Sequence, residues 1–141
     1  FIPAKAKHMI RDCKLIAEDK GIKFKFNSYF PIRTLNLMRG VLVAEEDNFK
    51  SYYIDNIFNS IWRDGLNMND ENIIQKILKN LNVNPKTFAL RATSSLIKDT
   101  LKKKTNEAYE KGVFGAPTFI VNNKIFWGQD RIEFVLKEAG K

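Results

Sequence analysis

The sequence predicts an α/β fold in which helices dominate, and three observations carry that expectation. Residues 34–112 place their apolar side chains at helical spacing and contain no alternating run. Two β-rich runs, Thr118-Phe119-Ile120-Val121 and Lys124-Ile125-Phe126-Trp127, flank Asn122-Asn123, and Ile22-Lys23-Phe24-Lys25-Phe26 alternates apolar with charged.

The first helix begins at Pro3, which is tolerated in a first turn. It carries Ala6, Met9, Ile10, Cys13, Ile16 and Ala17 on one face and stops at Gly21. The alternation at 22–26 then predicts a short strand with one buried face. From Thr34 to Gly112, breaks near Glu45-Glu46-Asp47, between Gly65 and Asn69, and at Asn82-Val83-Asn84-Pro85 divide the chain into four or five helices. Asn122-Asn123 can adopt positive φ, so the two β-rich runs read as an antiparallel hairpin. A last helix is expected from about Asp130 to Ala139, burying Ile132, Val135 and Leu136.

Composition narrows the functional classes. The 141 residues are 44% hydrophobic and 28% charged, which excludes disordered and low-complexity chains, and no apolar run approaches the roughly 20 residues of a membrane helix. One cysteine, Cys13, and one histidine, His8, exclude an internal disulfide framework and a clustered Cys/His zinc site. They also exclude a Ser-His-Asp triad unless His8 is its base. The formal charge of +8 is a weak argument for nucleic acid. Lys outnumbers Arg three to one, and Lys, Asn and Ile together make a third of the chain, a bias that suits a low-GC bacterial genome better than phosphate readout. Lys102-Lys103-Lys104 reads as a solvated helix face, with attraction of an anionic partner as its alternative.

The order of elements is helix, short strand, helical block, long helix, hairpin, helix. The last three, with Pro117 opening the hairpin, match the second half of a thioredoxin fold. The expected segments are 1–30, the remainder of an N-terminal thioredoxin-like part; 31–95, an inserted all-helical domain; and 96–141, the C-terminal thioredoxin-like part.

A proline at a first strand residue removes a ladder donor. A cis Ala116–Pro117 bond would free the Ala116 backbone for an extended ligand, whereas a trans bond would merely start an edge strand. Gln129 and Asp130 stand where a helix begins, so Asp130 reads either as an N-cap or as a contact for a charged ligand.

The segments Lys111-Gly112-Val113-Phe114-Gly115-Ala116-Pro117-Thr118-Phe119 and Trp127-Gly128-Gln129-Asp130-Arg131 resemble the 2-hydroxychromene-2-carboxylate isomerase family. That family is close to the kappa-class glutathione transferases and more distantly to DsbA-like proteins. Pro3-Ala4-Lys5-Ala6, Arg39-Gly40 and the stretch from Lys98 to Ala108 extend the resemblance along the chain. It implies glutathione as cofactor. Ala116 and Pro117 would pair with its cysteinyl part, Lys5 would meet the glycine carboxylate, and Gln129 with Asp130 would hold the γ-glutamyl end. It also places the thiol-activating serine before Phe1, so no catalytic residue is expected in this chain, which starts without Met. His8 stands where relatives carry Tyr and reads as a half-buried packing residue rather than a base, and Cys13 as a small core residue rather than a redox group. Tyr52, Tyr53, Phe58, Trp62, Phe114, Phe126 and Trp127 are expected in the core, one or two of them lining a substrate pocket.

The resemblance thus implies a cytoplasmic, glutathione-dependent cis-trans isomerase acting on a small aromatic anionic substrate, with no nucleic-acid or membrane partner and a homodimer left open. The alternatives are a kappa-like glutathione transferase, a DsbA-like thiol-disulfide oxidoreductase and a non-catalytic glutathione-binding protein.

Overall fold

A computed structural model describes residues 2–141. The chain packs as two compact units, one up to Lys98 and the other from Asp99 to Lys141. The first takes in residues on both sides of position 30, and the join falls inside a helix.

The first unit is helical. α1 (Pro3–Asp19) ends before Gly21 at φ +63°. α2 (Leu35–Glu46) and α3 (Lys50–Trp62) are separated by a turn with Asn48 at φ +61°. α4 (Glu71–Asn80) starts at Asp70, whose carboxylate accepts the Asn72 N–H. α5 (Pro85–Ala92) starts at Asn84, whose side chain accepts the N–H groups of Lys86 and Thr87. Both are side-chain caps of the kind worth about 1 kcal/mol. α6 (Ser95–Glu110) crosses into the second unit. Five helices therefore occupy the 34–112 stretch. The break between α5 and α6 carries no proline or glycine: the Thr93 hydroxyl donates back to the Ala89 carbonyl at 2.8 Å, a local bond that competes with helix continuation.

The core of this unit sits where α2, α3, α4 and α5 meet. Leu37, Leu42, Val43 and Ala44 pack with Tyr53, Ile57, Ile61, Ile77, Leu78, Phe88 and Ala92, all buried. Gly40 lets α2 and α3 close, because a Cβ there would overlap the Tyr53 hydroxyl. Arg91 ties α5 to the end of α2 through Glu46 and Asp47, at 2.7 and 2.6 Å.

The run at 22–26 is not a strand. Its alternation is real, with Phe24 and Phe26 half-buried and Lys23 and Lys25 exposed. No strand lies beside it among the described residues, and period-2 patterning reports one-sided burial, whereas a strand also needs a ladder partner. The Lys25 N–H donates instead to the Trp62 carbonyl at 2.6 Å. Asn27, fully buried, finishes the attachment. Its amide donates to the Ile61 and Leu66 carbonyls, each at 2.9 Å, and its oxygen accepts the Tyr29 N–H at 2.8 Å.

In the second unit, β1 (Thr118–Val121) and β2 (Lys124–Trp127) pair antiparallel with Thr118 opposite Trp127 and Val121 opposite Lys124. Asn122 and Asn123 have φ of 48° and 61°, the left-handed pair that a two-residue hairpin requires. A 3-10 turn at Gln129–Arg131 leads into α7 (Ile132–Ala139). The expected burial of α7 is overturned: Ile132 and Leu136 are 47% and 65% exposed, and Val135 is half-buried. The helix is rotated so that Glu138, only 8% exposed, meets the hairpin.

Glu138 accepts from Lys124 at 3.0 Å, from Lys141 at 3.1 Å and from the Asn122 amide at 3.4 Å. The Lys124 and Lys141 bonds lead in holding its carboxyl down to about 2, against an ordinary 4.5. A depressed carboxyl contributes stability that is complete above its unfolded value and disappears on protonation. Denaturant melts between pH 7 and 2 should therefore show wild type losing its advantage over Glu138→Gln as pH falls from about 4.5 to about 2. A constant difference across that range would mean that the carboxylate charge contributes nothing.

Candidate functional site

The hairpin unit brings four of the five expected site residues together. The Gly128 N–H donates to the Pro117 carbonyl at 3.0 Å, which joins the loop before β1 to the residue before Gln129. The Thr118 hydroxyl donates to the Gly115 carbonyl, closing that loop. Gly115 is required here, since a Cβ on it would lie 2.6 Å from the Trp127 indole nitrogen. The Ala116–Pro117 bond is cis, as is Phe30–Pro31, which the sequence did not signal. Ala116 and Pro117 are exposed, and the Ala116 N–H and carbonyl have no hydrogen-bond partner among the described residues. This leaves one peptide unit, beside a strand start, able to pair with an extended ligand.

Asp130 is not a helix cap. It lies in the 3-10 turn, and the residue preceding α7 is Arg131, which makes no side-chain cap bond. One Asp130 oxygen accepts from Arg131 at 2.7 Å. The other folds over Gly128, where a Cβ would come within 2.6 Å of it. Gly128 also has φ +106°, so glycine is needed there on two grounds. Gln129 is exposed in the same turn. The arrangement offers an exposed carboxylate and the opened backbone of a turn, tied to the loop of the free Ala116 peptide through the Gly128–Pro117 hydrogen bond.

Lys5 belongs to the first unit, in the opening turns of α1, exposed and with no ion-pair partner among the described residues. Two other readings of α1 are corrected. His8 is exposed rather than half-buried, and Cys13 is exposed rather than in the core. Only Ala17 of this helix is buried. Cys13, Met9 and Ile10 instead line a cavity of about 320 Å³ opposite Phe24, Phe26, Phe30 and Trp62. The Trp62 ring lies 6.0, 6.1 and 5.9 Å from Phe24, Phe26 and Phe30.

Of the aromatic residues expected in the core, Tyr53 alone is fully buried. Tyr52, Phe58, Phe114 and Trp127 are 53 to 74% exposed, while Trp62 and Phe126 are half-buried. Helical spacing cannot separate these cases, because it places a residue on a face without saying what covers that face. Asn27 and Phe30 were missed for a similar reason. An Asn-Ser pair after an alternating run reads as turn chemistry, and only the approach of the α3 end turns it into a buried anchor.

Residues 2–139 match the model of the DsbA-like thioredoxin domain. The chain is 25% identical over 131 residues to a 2-hydroxychromene-2-carboxylate isomerase of Sphingobium xenophagum, covering 93% of this chain and 66% of that protein. It is 24% identical over 138 residues to a protein of the same name from Pseudomonas putida, covering 98% and 66%. A solved structure of 2-hydroxychromene-2-carboxylate isomerase superposes with a TM-score of 0.86 at 21% identity, over 97% of this chain and 66% of that one, a likeness of fold. The chain spans 66% of the length of these relatives. A family match that runs through the helical block, the hairpin and α7 alike makes this chain a member of the DsbA-like thioredoxin-domain family.

Proposed function

We propose that this chain serves a glutathione-dependent cis-trans isomerisation of small aromatic 2-hydroxy acids or related enones. The observation that carries the reading is the likeness to proteins named 2-hydroxychromene-2-carboxylate isomerase over 93 to 98% of the chain. The residues fit the cofactor in one testable respect, the unpartnered and exposed Ala116 peptide, which can pair with the extended backbone of a tripeptide. Asp130 with the turn at Gln129 would hold its charged γ-glutamyl end. When bound, glutathione supplies a thiol nucleophile that can add reversibly to a conjugated double bond.

The chain's own contribution is position and charge. The loop at Pro117 presents the Ala116 peptide, Gly115 leaves room for the Trp127 indole and Gly128 for the Asp130 carboxylate, and the formal charge of +8 favours an anionic substrate through attraction that salt weakens. An absorbance assay on the complete gene product, run with reduced glutathione, with S-methyl glutathione and with no thiol, tests the proposal. Turnover is expected with reduced glutathione alone. Equal rates in all three would overturn it, and accumulation of a stable conjugate would move the activity to a kappa-like transferase.

Asp130→Ala should weaken glutathione binding by about 1.5 to 3 kcal/mol, the range for a hydrogen bond to a charged group. Calorimetric titration checks this. An unchanged dissociation constant would leave Asp130 as a partner of Arg131 only.

A further inference from the structure

The first unit contains a cavity of about 260 Å³ between α2, α3, α4 and α5 that the site described above does not use. Its floor is built of deeply buried side chains, Leu37, Tyr53, Leu78, Phe88 and Ala92, exposed by 1 to 6%. Ile74 and Ala89 form the walls nearer solvent. The apolar cavity among aromatic residues near Trp62 is larger, but every side chain lining it is half-buried or exposed, so it is an open groove. Protein interiors are packed as densely as organic crystals, and an empty apolar cavity of about 150 Å³ is enough to take up benzene. A space of about 260 Å³ therefore accommodates a two-ring molecule.

Its chemistry is also specific. Tyr53 and Phe88 contribute rings whose centroids lie 5.4 Å apart and whose planes are tilted by 38°, so the floor offers aromatic faces and edges on which another ring can pack. No charged group is buried in it. Glu71 and Lys86 stand at its exposed mouth with opposite signs, and neither side chain has an ion-pair partner among the described residues. Gln75, also at the mouth, has a side-chain amide with no hydrogen-bond partner among the described residues. An anion would gain nothing from a mouth of balanced charge and would be desolvated by the floor. A hydroxyl or carbonyl on an otherwise apolar ring would find the Gln75 amide.

We infer that the helical unit carries a binding site for a neutral one- or two-ring aromatic molecule with a single hydroxyl or carbonyl group, distinct from the residues assigned to glutathione. Calorimetric titration of the protein with 2-naphthol, and with 2-naphthoate as its charged counterpart, tests the inference. Saturable 1:1 binding of 2-naphthol is expected, at least tenfold tighter than that of 2-naphthoate. Ala89→Leu and Ile74→Phe, which add volume to the less buried wall, should each weaken 2-naphthol binding at least tenfold while the far-UV circular dichroism and melting temperature show a folded protein. Ala89→Leu keeps the test open if the larger ring at position 74 is not tolerated. Absence of saturable binding, equal affinity for the two ligands, or unchanged affinity in a folded filled variant would each overturn the inference.

Discussion

Tyr53→Ala is expected to cost about 3 to 5 kcal/mol, the range for removing a buried aromatic side chain, which is enough to leave the helical unit marginal. Tyr53 is 1% exposed, stands 5.4 Å from Phe88 and 6.3 Å from Phe49, and reaches the α2 backbone, where its hydroxyl donates to the Leu37 carbonyl at 3.3 Å. Burial pushes its phenol well above the ordinary value, so it stays protonated and donating. Two further variants separate its parts. Tyr53→Phe removes one long hydrogen bond and should cost no more than about 1 kcal/mol. Gly40→Ala drives a Cβ into the hydroxyl and should cost about 1 to 3 kcal/mol through overpacking. Urea melts read all three. Equal losses for the Ala and Phe variants would mean that the ring contributes nothing, contrary to the packing.

Asn27→Leu should be nearly as damaging, at about 3 to 5 kcal/mol, although it exchanges a polar residue for an apolar one of similar size. The substitution strands two carbonyls, Ile61 and Leu66, and one N–H, that of Tyr29, and each buried group left without a partner costs roughly 1 to 3 kcal/mol. The sum is tempered by water reaching the less buried of them. Asn27→Asp keeps the acceptor for Tyr29 but turns a carboxylate toward two carbonyls, so it should also destabilise, and more at pH 7 than at pH 4. Hydrogen exchange at the end of α3 and in the 63–70 loop checks the assignment. A substitution that left protection there unchanged would show that Asn27 is not what fastens the 22–30 segment to α3.

Much of this was readable from local chemistry. Gly21, Asp70, Asn84 with Pro85, and Asn122-Asn123 act within a few residues of themselves, through positive φ or caps, so the ends of α1, the starts of α4 and α5 and the hairpin turn follow from the residues alone. The hairpin part of the candidate site is legible by another route, the resemblance of segments 111–119 and 127–131 to a known family. What the tertiary structure decided is where faces point. Ile22-Lys23-Phe24-Lys25-Phe26 alternates as a strand would, but what lies beside it is the Trp62 carbonyl at the end of α3 and not another strand. Cys13 shares the apolar face of α1 yet is exposed, Asp130 turns to Arg131 instead of capping α7, and Glu138 is buried in place of Ile132 and Leu136. Periodicity records a residue's position around its own axis, whereas burial and pairing depend on what another part of the chain brings to that face. Only the assembled core supplies that second surface.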